Sequence, residues 1–532
     1  MLVISDLYHA LPNGDVLFSN LSFTCPRSNH ITAIIGRNGI GKSTLLQCIA
    51  DQVSGVSVRG SFLFYQQKSA EALQDLRVID SLGLGSYYDA YKRVEKGFPH
   101  DTDFDLLAQH WDVIERAKSW LTSADLTLAL EQPMLTLSGG QRTKVRLVGL
   151  LKHAPDILLL DEPSNHLDQV GTQWLIHALK ETSSQVLLIS HDTSLLQSMN
   201  HFLVLSEQGI TPYHMGFSNL RSLLEKQRQE ALKAISQTKT LLKKEQRAQQ
   251  AREQKTLQRM RQGKEARKSG SQSKLLLDQK KNKAQVQSGA QKRLAQQRHQ
   301  SLRTDLRQKQ NLQTNVSDLP LSLSERQNGP RRVLDIINGI LPYGDKTPIT
   351  ITLEHGERLC LEGSNGSGKS TLIRCILRQQ SLCSGTLQRY GDALYLDQHL
   401  SLLEQFSSAF ELFQHHVPTM EHSTIRTLLG CIDLQGDRAF QSCNNLSGGE
   451  RMKVALLLIS QLPSKALLIL DETDNHLDLD SQDQLASLLE EFQGSLIFVT
   501  HQEGWISADK VLTLHQQWHH NLNQTSIDGS IF

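Results

Sequence analysis

The sequence predicts an α/β protein: two phosphate-binding domains, each built on a mainly parallel sheet, joined by a long antiparallel α-helical hairpin. Three observations predict it. A glycine-rich loop occurs twice, as Gly36-Arg37-Asn38-Gly39-Ile40-Gly41-Lys42-Ser43 and as Gly363-Ser364-Asn365-Gly366-Ser367-Gly368-Lys369-Ser370. Each loop is followed, in the same order, by Leu-Ser-Gly-Gly (Leu137 to Gly140; Leu446 to Gly449), an apolar run ending in Asp-Glu (Asp161-Glu162; Asp471-Glu472), and an apolar run ending in histidine (His191; His501). Between the two copies lies a segment dominated by Gln, Lys, Arg, Ala, Glu and Leu. Four motifs in one order, twice, are a duplication and not a chance match.

Taken in chain order, residues 1–216 form the first domain. Leu21-Ser22-Phe23 and Ile31 to Ile35 read as strands, the second feeding the glycine loop, and Ser43 to Ala50 opens a helix. Ile157 to Leu160 and Val186 to Ile189 are short apolar runs between turn signals, as buried parallel strands should be. Residues 328–532 repeat the plan with Arg358 to Leu361, Ala466 to Leu470 and Leu496 to Val499. Strands alternating with helices imply a mainly parallel α/β core. The copies differ in one interval. Gln67 to Ser138 spans 71 positions and Gln398 to Ser447 spans 49, so the first copy carries 22 extra residues there. That is room for a short helical pair or for a longer surface loop.

Residues 217–315 form the linker. From Phe217 to Gln262 there is no proline and no glycine, and the composition favours helix. About 45 helical residues would extend about 68 Å. Gly263 to Ser273 should break that helix, and Lys274 to Leu312 should form a second. Leu220, Leu224, Ala231, Ile235, Leu242 and Leu257, with Leu294, Leu302 and Leu306, give a thin apolar stripe. It suits two antiparallel helices touching along a narrow seam and has no purpose in a disordered tail.

Charge separates the linker from the rest. Ser218 to Asn315 holds 25 Lys and Arg against 7 Asp and Glu, a formal +18, which leaves −17 on the remainder of a chain whose total is +1. A basic middle between acidic ends points to a polyanion as partner. The seven cysteines include no Cys-x-x-Cys pair, which argues against zinc, an iron–sulfur cluster or a disulfide framework. No apolar run reaches the length of a membrane span, and Met1 to Ala10 does not read as a secretory signal, so a cytoplasmic protein is expected.

The repeated motifs carry the chemistry. In a strand–loop–helix context the backbone N–H groups of Asn38 to Lys42 converge on one concavity and hold phosphate oxygens. Gly36, Asn38, Gly39, Gly41, Lys42, Ser43 and Thr44 form this cradle, and Gly363, Asn365, Gly366, Gly368, Lys369, Ser370 and Thr371 form the second. Lysine reaches the terminal phosphates, and the following serine binds magnesium. Asp161 and Asp471, at strand ends, would hold Mg2+ through water. Glu162 and Glu472 are placed to polarise an attacking water, and His191 and His501 to contact the terminal phosphate. Ser138-Gly139-Gly140 and Ser447-Gly448-Gly449 suit the start of a helix, the serine capping it and the amides facing a second phosphate across an interface.

These motifs, with Gln67, Leu160-Asp161-Glu162-Pro163, Asn165-His166-Leu167-Asp168 and Asn475-His476-Leu477-Asp478, resemble those of ABC-type ATPases. Two fused copies, no membrane segment and a basic linker of about 100 residues resemble the ABC-F family, over nearly the whole chain. The resemblance implies ATP and Mg2+ as cofactors, Gln67 and Gln398 completing the magnesium sites, and two domains closing face to face in a monomer. Lys42 would then share its ATP with Ser447, and Lys369 with Ser138. It further implies ribosome binding, with Lys264, Arg267, Lys268 and Lys274 near the linker turn meeting rRNA or tRNA. Tyr343-Gly344 matches the family's adenine-stacking aromatic. The first half has Leu11-Pro12-Asn13-Gly14 there, with Tyr8 the nearest aromatic. The second half also departs at Thr473-Asp474 and at Gln502, where the first has Pro163-Ser164 and Asp192. The alternatives are the ATPase subunit of a membrane importer, which leaves the +18 linker unexplained, and a DNA-maintenance ATPase. In the latter a coiled coil splits one ATPase, whereas here the linker separates two complete copies.

Overall fold

The computed structural model describes residues 2–12, 14, 16–25, 31–66, 74–268, 297–306, 332–398, 400–432, 434–462, 467–474, 477–500 and 505–515. They group into two units: Met1–Phe217 with Asp318–Phe532, and Ser218–Ser317.

The first unit contains both copies. In the first copy a six-stranded sheet runs Phe62–Tyr65, Ile157–Asp161, Gln185–Ile189, Ile31–Ile35, His201–Ser206, Gly209–His214, with only the last strand antiparallel. The second copy has Ala393–Asp397, Leu467–Asp471, Ser495–Val499, Arg358–Gly363 and Lys510–Leu514, all parallel. Every residue of Ile157–Asp161 and Gln185–Ile189 is buried, which explains their unbroken apolar runs. A small antiparallel sheet accompanies each: Val16–Cys25, Leu2–Ala10, Val56–Val58 in one, and Ile349–Glu354, Arg332–Ile340, Ser384–Arg389 in the other.

Register fixes the site. Asp161 pairs with Ile189 and Asp471 with Val499, at the carboxyl ends of two adjacent strands, the second of which flanks the strand that feeds each glycine loop. The ends of parallel strands are where an open α/β sheet binds its ligand. Both helices after the loops begin at the lysine, Lys42–Ala50 and Lys369–Ile376, behind a glycine with left-handed backbone.

The described part of the first copy's longer interval is largely helical, and the second copy has the helix Ala409–His416 in its shorter one. Val113–Thr122 and His422–Cys431 open equally far before their Ser-Gly-Gly motifs, so the surplus lies upstream of Val113. There the first copy carries the helices Gly85–Glu95 and Asp101–Leu107. Arg93 ties them together through a bidentate pair with the buried carboxylate of Asp103.

In the second unit one helix, Phe217–Lys268, runs for 52 residues, about 78 Å. The expected break at Gly263 does not occur. One glycine costs a helix about 1 kcal/mol relative to alanine, and good helix formers flank it on both sides. Residues 297–306 form a further helical segment, and His299 meets Gln246 at 3.3 Å, so the two segments lie side by side. The rest of the expected break, Ser269 to Ser273, and Lys274 lie outside the described residues.

Candidate functional site

Each glycine loop is shaped by close backbone approach. A Cβ on Gly36 would sit 2.5 Å from the Leu205 carbonyl oxygen, and one on Gly363 would sit 2.4 Å from that of Leu514. Gly39, Gly41, Gly366 and Gly368 all have positive φ. Such a chain turns its amides inward, as a phosphate cradle requires. Lys42 Nζ donates to the Gly36 and Arg37 carbonyls at 2.6 and 2.9 Å, and Lys369 Nζ to those of Gly363 and Ser364 at 2.6 and 3.2 Å. Both ammonium groups are buried against their loops, which lowers their pKa. The carboxylates of Glu162, Asp478 and Asp161 oppose the shift for Lys42, and those of Glu472, Asp168 and Asp471 oppose it for Lys369.

The candidate magnesium corner assembles in both copies. Ser43 Oγ donates to Asp161 Oδ1 at 3.1 Å, and Ser370 likewise bonds Asp471. Burial raises the pKa of both aspartates. An all-oxygen set of hydroxyl and carboxylate beside a phosphate cradle fits a hard divalent cation. Gln398 follows Asp397, the strand partner of Asp471, and so reaches the same corner by position. Gln67 lies outside the described residues.

The candidate catalytic glutamates hold an unusual backbone. Glu162 has φ 47° and Glu472 φ 51°, each anchored by its N–H to the neighbouring strand, at Ile189 and Val499. Left-handed backbone at a non-glycine residue is costly and concentrates at functional sites. His191 is buried, with Nε2 3.5 Å from Glu162 Oε1. Burial pushes the Glu162 carboxyl up to about 7. Asn475, His476, His501 and Gln502 lie outside the described residues.

Ser138 and Ser447 each cap the helix that they open. Their side chains accept the amides of Gln141 and Glu450, and those side chains accept the serine amides in return. The two copies meet head to tail. Asp478 Oδ1 accepts from Ser481 N and caps its own helix, while its Oδ2 accepts from Asn38 N at 2.8 Å, in the opposite glycine loop. Asp168 does the same, Oδ1 to Gly171 N and Oδ2 to Asn365 N at 3.3 Å. Asn365 also donates to the His166 carbonyl, and Arg37 pairs with Asp480 at 3.2 Å. A Cβ on Gly140 would lie 3.0 Å from Asn365 Nδ2, which brings Ser138-Gly139-Gly140 beside the Lys369 loop. Asp168 and Asp478 belong to the repeated motifs, but their sequence does not reveal this task. Their signal was an N-cap aspartate at a fixed distance after each Asp-Glu pair.

The candidate base platforms differ. A cavity of about 320 Å³ at the first site is lined by the glycine loop, Glu162 and His191, together with Leu11 and Leu17. Tyr8 is an exposed strand residue and is absent from that lining. A Cβ on Gly41 would meet Leu17 at 2.7 Å, as one on Gly368 would meet the Tyr343 carbonyl and Gly344. Leu17 and Phe18 side chains therefore crowd Gly41 where the backbone of Tyr343 and Gly344 crowds Gly368. Tyr343 is 70% exposed, its ring open to a stacking partner. Tyr343→Ala is expected to weaken nucleotide binding at the second site about three- to tenfold, since ring stacking contributes about 0.5–1.5 kcal/mol. Tyr8→Ala should change neither site, and Leu17→Ala should weaken the first. Titration of a fluorescent nucleotide into each variant checks this, and an effect of Tyr8→Ala as large as that of Tyr343→Ala would refute the assignment.

A family model described as "ABC transporter" matches residues 18–165 and 347–475. The ribosome protection protein VmlR of Bacillus subtilis (strain 168) is 27% identical over 480 residues, covering 88% of this chain and 79% of the relative. ATP-binding cassette sub-family F member 3 of Mus musculus is 26% identical over 498 residues, covering 89% and 65%. A solved complex of archaeal ribosomal stalk protein aP1 with archaeal ribosome recycling factor aABCE1 aligns with TM-score 0.54 at 17% identity, over 96% of this chain and 87% of that one. That last likeness concerns the fold alone.

Proposed function

The chain belongs to the ABC transporter family and, as a twin-ATPase relative of sub-family F member 3, to its ABC-F branch; from that premise we propose an ATP-hydrolysing factor that works on the ribosome. One observation carries the reading: each copy's aspartate reaches the glycine loop of the other. Opening the pair removes a ligand from both loops, so nucleotide and domain closure are coupled. The domains are read as 1–216 and 328–532, with the linker at 217–315.

In this reading ATP is held at the first site by Gly36 to Thr44, with Ser447-Gly448-Gly449 opposite. At the second it is held by Gly363 to Thr371, with Ser138-Gly139-Gly140 opposite and Tyr343 under the base. Ser43, Asp161 and Gln67, and Ser370, Asp471 and Gln398, hold the Mg2+ that neutralises phosphate charge. Glu162 and Glu472 orient and deprotonate water, with His191 and His501 beside the terminal phosphate. The linker supplies the partner. A +18 segment with a 52-residue helix suits a polyanion, and VmlR is by name a ribosome protection protein. We assign Lys264, Arg267, Lys268 and Lys274 to rRNA or tRNA. The first three fall in the last turns of that helix. A monomeric cytoplasmic factor is the accompanying expectation. An importer subunit would need a membrane partner. No described helix is long and apolar enough to cross a membrane, and that role leaves the basic linker without a task. The test is cosedimentation and cryo-EM of ribosomes with a hydrolysis-deficient variant. Density for the linker on the ribosome supports the reading, and failure to bind ribosomes with ATP present overturns it.

A further inference from the structure

Tyr395 lies on the strand Ala393–Asp397, paired with Ile469, two residues before Asp471. Its hydroxyl donates to Asp471 Oδ2 at 3.2 Å. The matching position in the first copy is Phe64, paired with Leu159, two residues before Asp161. Both rings are half-buried against the core of their own sheet. At this point the two sites therefore differ by a single hydroxyl. Asp161 accepts from Ser43, while Asp471 accepts from Ser370 and from Tyr395.

We infer that Tyr395 is a positioning residue that holds the magnesium-binding carboxylate of the second site, and that it gives the two sites different metal requirements. The inference rests on the reading of Asp471 as a metal-holding group. Ser370 is itself a candidate ligand, so its hydroxyl would have to give a lone pair to the cation while its proton stays on Asp471. Tyr395 has no such second task and can hold the carboxylate throughout. Outer partners of this kind orient metal-binding groups, and their loss typically costs about 10–100-fold in metal affinity. Phe64 offers no equivalent donor, so the first site binds its cation with a carboxylate oriented by fewer groups.

The test uses the full chain with Lys42→Ala, which silences the first site, and Mn2+ as the probe with a non-hydrolysable ATP analogue. Electron paramagnetic resonance titration reads bound metal directly. Tyr395→Phe keeps the ring and its packing and should raise the half-saturating Mn2+ about tenfold. Nucleotide affinity without metal should not change. In the converse background, with Lys369→Ala, Phe64→Tyr should tighten Mn2+ at the first site. If Phe64→Tyr misfolds, the Tyr395→Phe titration decides alone. Unchanged or tighter Mn2+ binding by Tyr395→Phe overturns the inference, provided that Asp471→Asn weakens it. If Asp471→Asn also leaves Mn2+ binding unchanged, the assignment of Asp471 is what fails.

Discussion

ATP turnover is expected to fall by at least about 100-fold when Glu162→Gln and Glu472→Gln are combined, since a positioned general base contributes about 10²–10⁴-fold. ATP binding should persist. Lys42 and Lys369 donate to the carbonyls of their own glycine loops, and both loops are left intact by the change. With hydrolysis blocked, the closed head-to-tail pair should accumulate, and with it the ribosome-bound form. Phosphate release and filter binding measure the two halves of this expectation, and normal turnover by the double variant would remove the catalytic assignment. Glu472→Gln alone isolates the first site. There the carboxyl of Glu162 is raised to about 7 by burial. A base works only when deprotonated, so turnover should drop as pH falls through about 7. A flat profile between about pH 6 and about pH 8 would count against Glu162 as the base.

The second large effect concerns the linker. Replacing Lys264, Arg267, Lys268 and Lys274 by Gln leaves helix propensity nearly unchanged and removes four cations. Each phosphate neutralised on a single strand contributes about −0.7 to the slope of log affinity against log salt, so the slope should flatten by up to about 3. Ribosome affinity at moderate salt should fall about 100-fold on the same arithmetic. ATP turnover without ribosomes should be unaffected, because no candidate ATP ligand lies in residues 217–315. Cosedimentation across a salt series reads both quantities. If affinity and slope survive the four changes, the basic hairpin is a solvated spacer, and the ribosome assignment loses its support within this chain.

What the sequence could determine was local or repeated. The strands beside Gly36 and Gly363 were legible because parallel strands buried on both faces read as short apolar runs. The loops, the Asp-Glu pairs and the helix-opening serines were legible because fixed backbone geometry demands those residue types at those spacings. The duplicated order made each reading support the other. The linker helix was legible from composition, but its end was not. Gly263 signalled a break, and the helix continues to Lys268 because one glycine costs less than its neighbours favour.

Tertiary structure alone decided three matters. It showed that the longer interval of the first copy holds the helices Gly85–Glu95 and Asp101–Leu107 where the second has Ala409–His416, since a surface insertion of mixed charge carries no strong period. It placed Leu11 and Leu17, and not Tyr8, in the lining of the first cavity, because a residue's place in a hairpin depends on strand register, which spacing from the glycine loop does not fix. It also gave Asp168 and Asp478 their double task. In the sequence each is an N-cap like many others. Only the packing of one copy against the other, across more than 400 residues between Asn38 and Asp478, turns the second carboxylate oxygen toward a foreign loop. An interaction that distant leaves no periodicity and no local composition behind, so it can be seen only once the chain is folded.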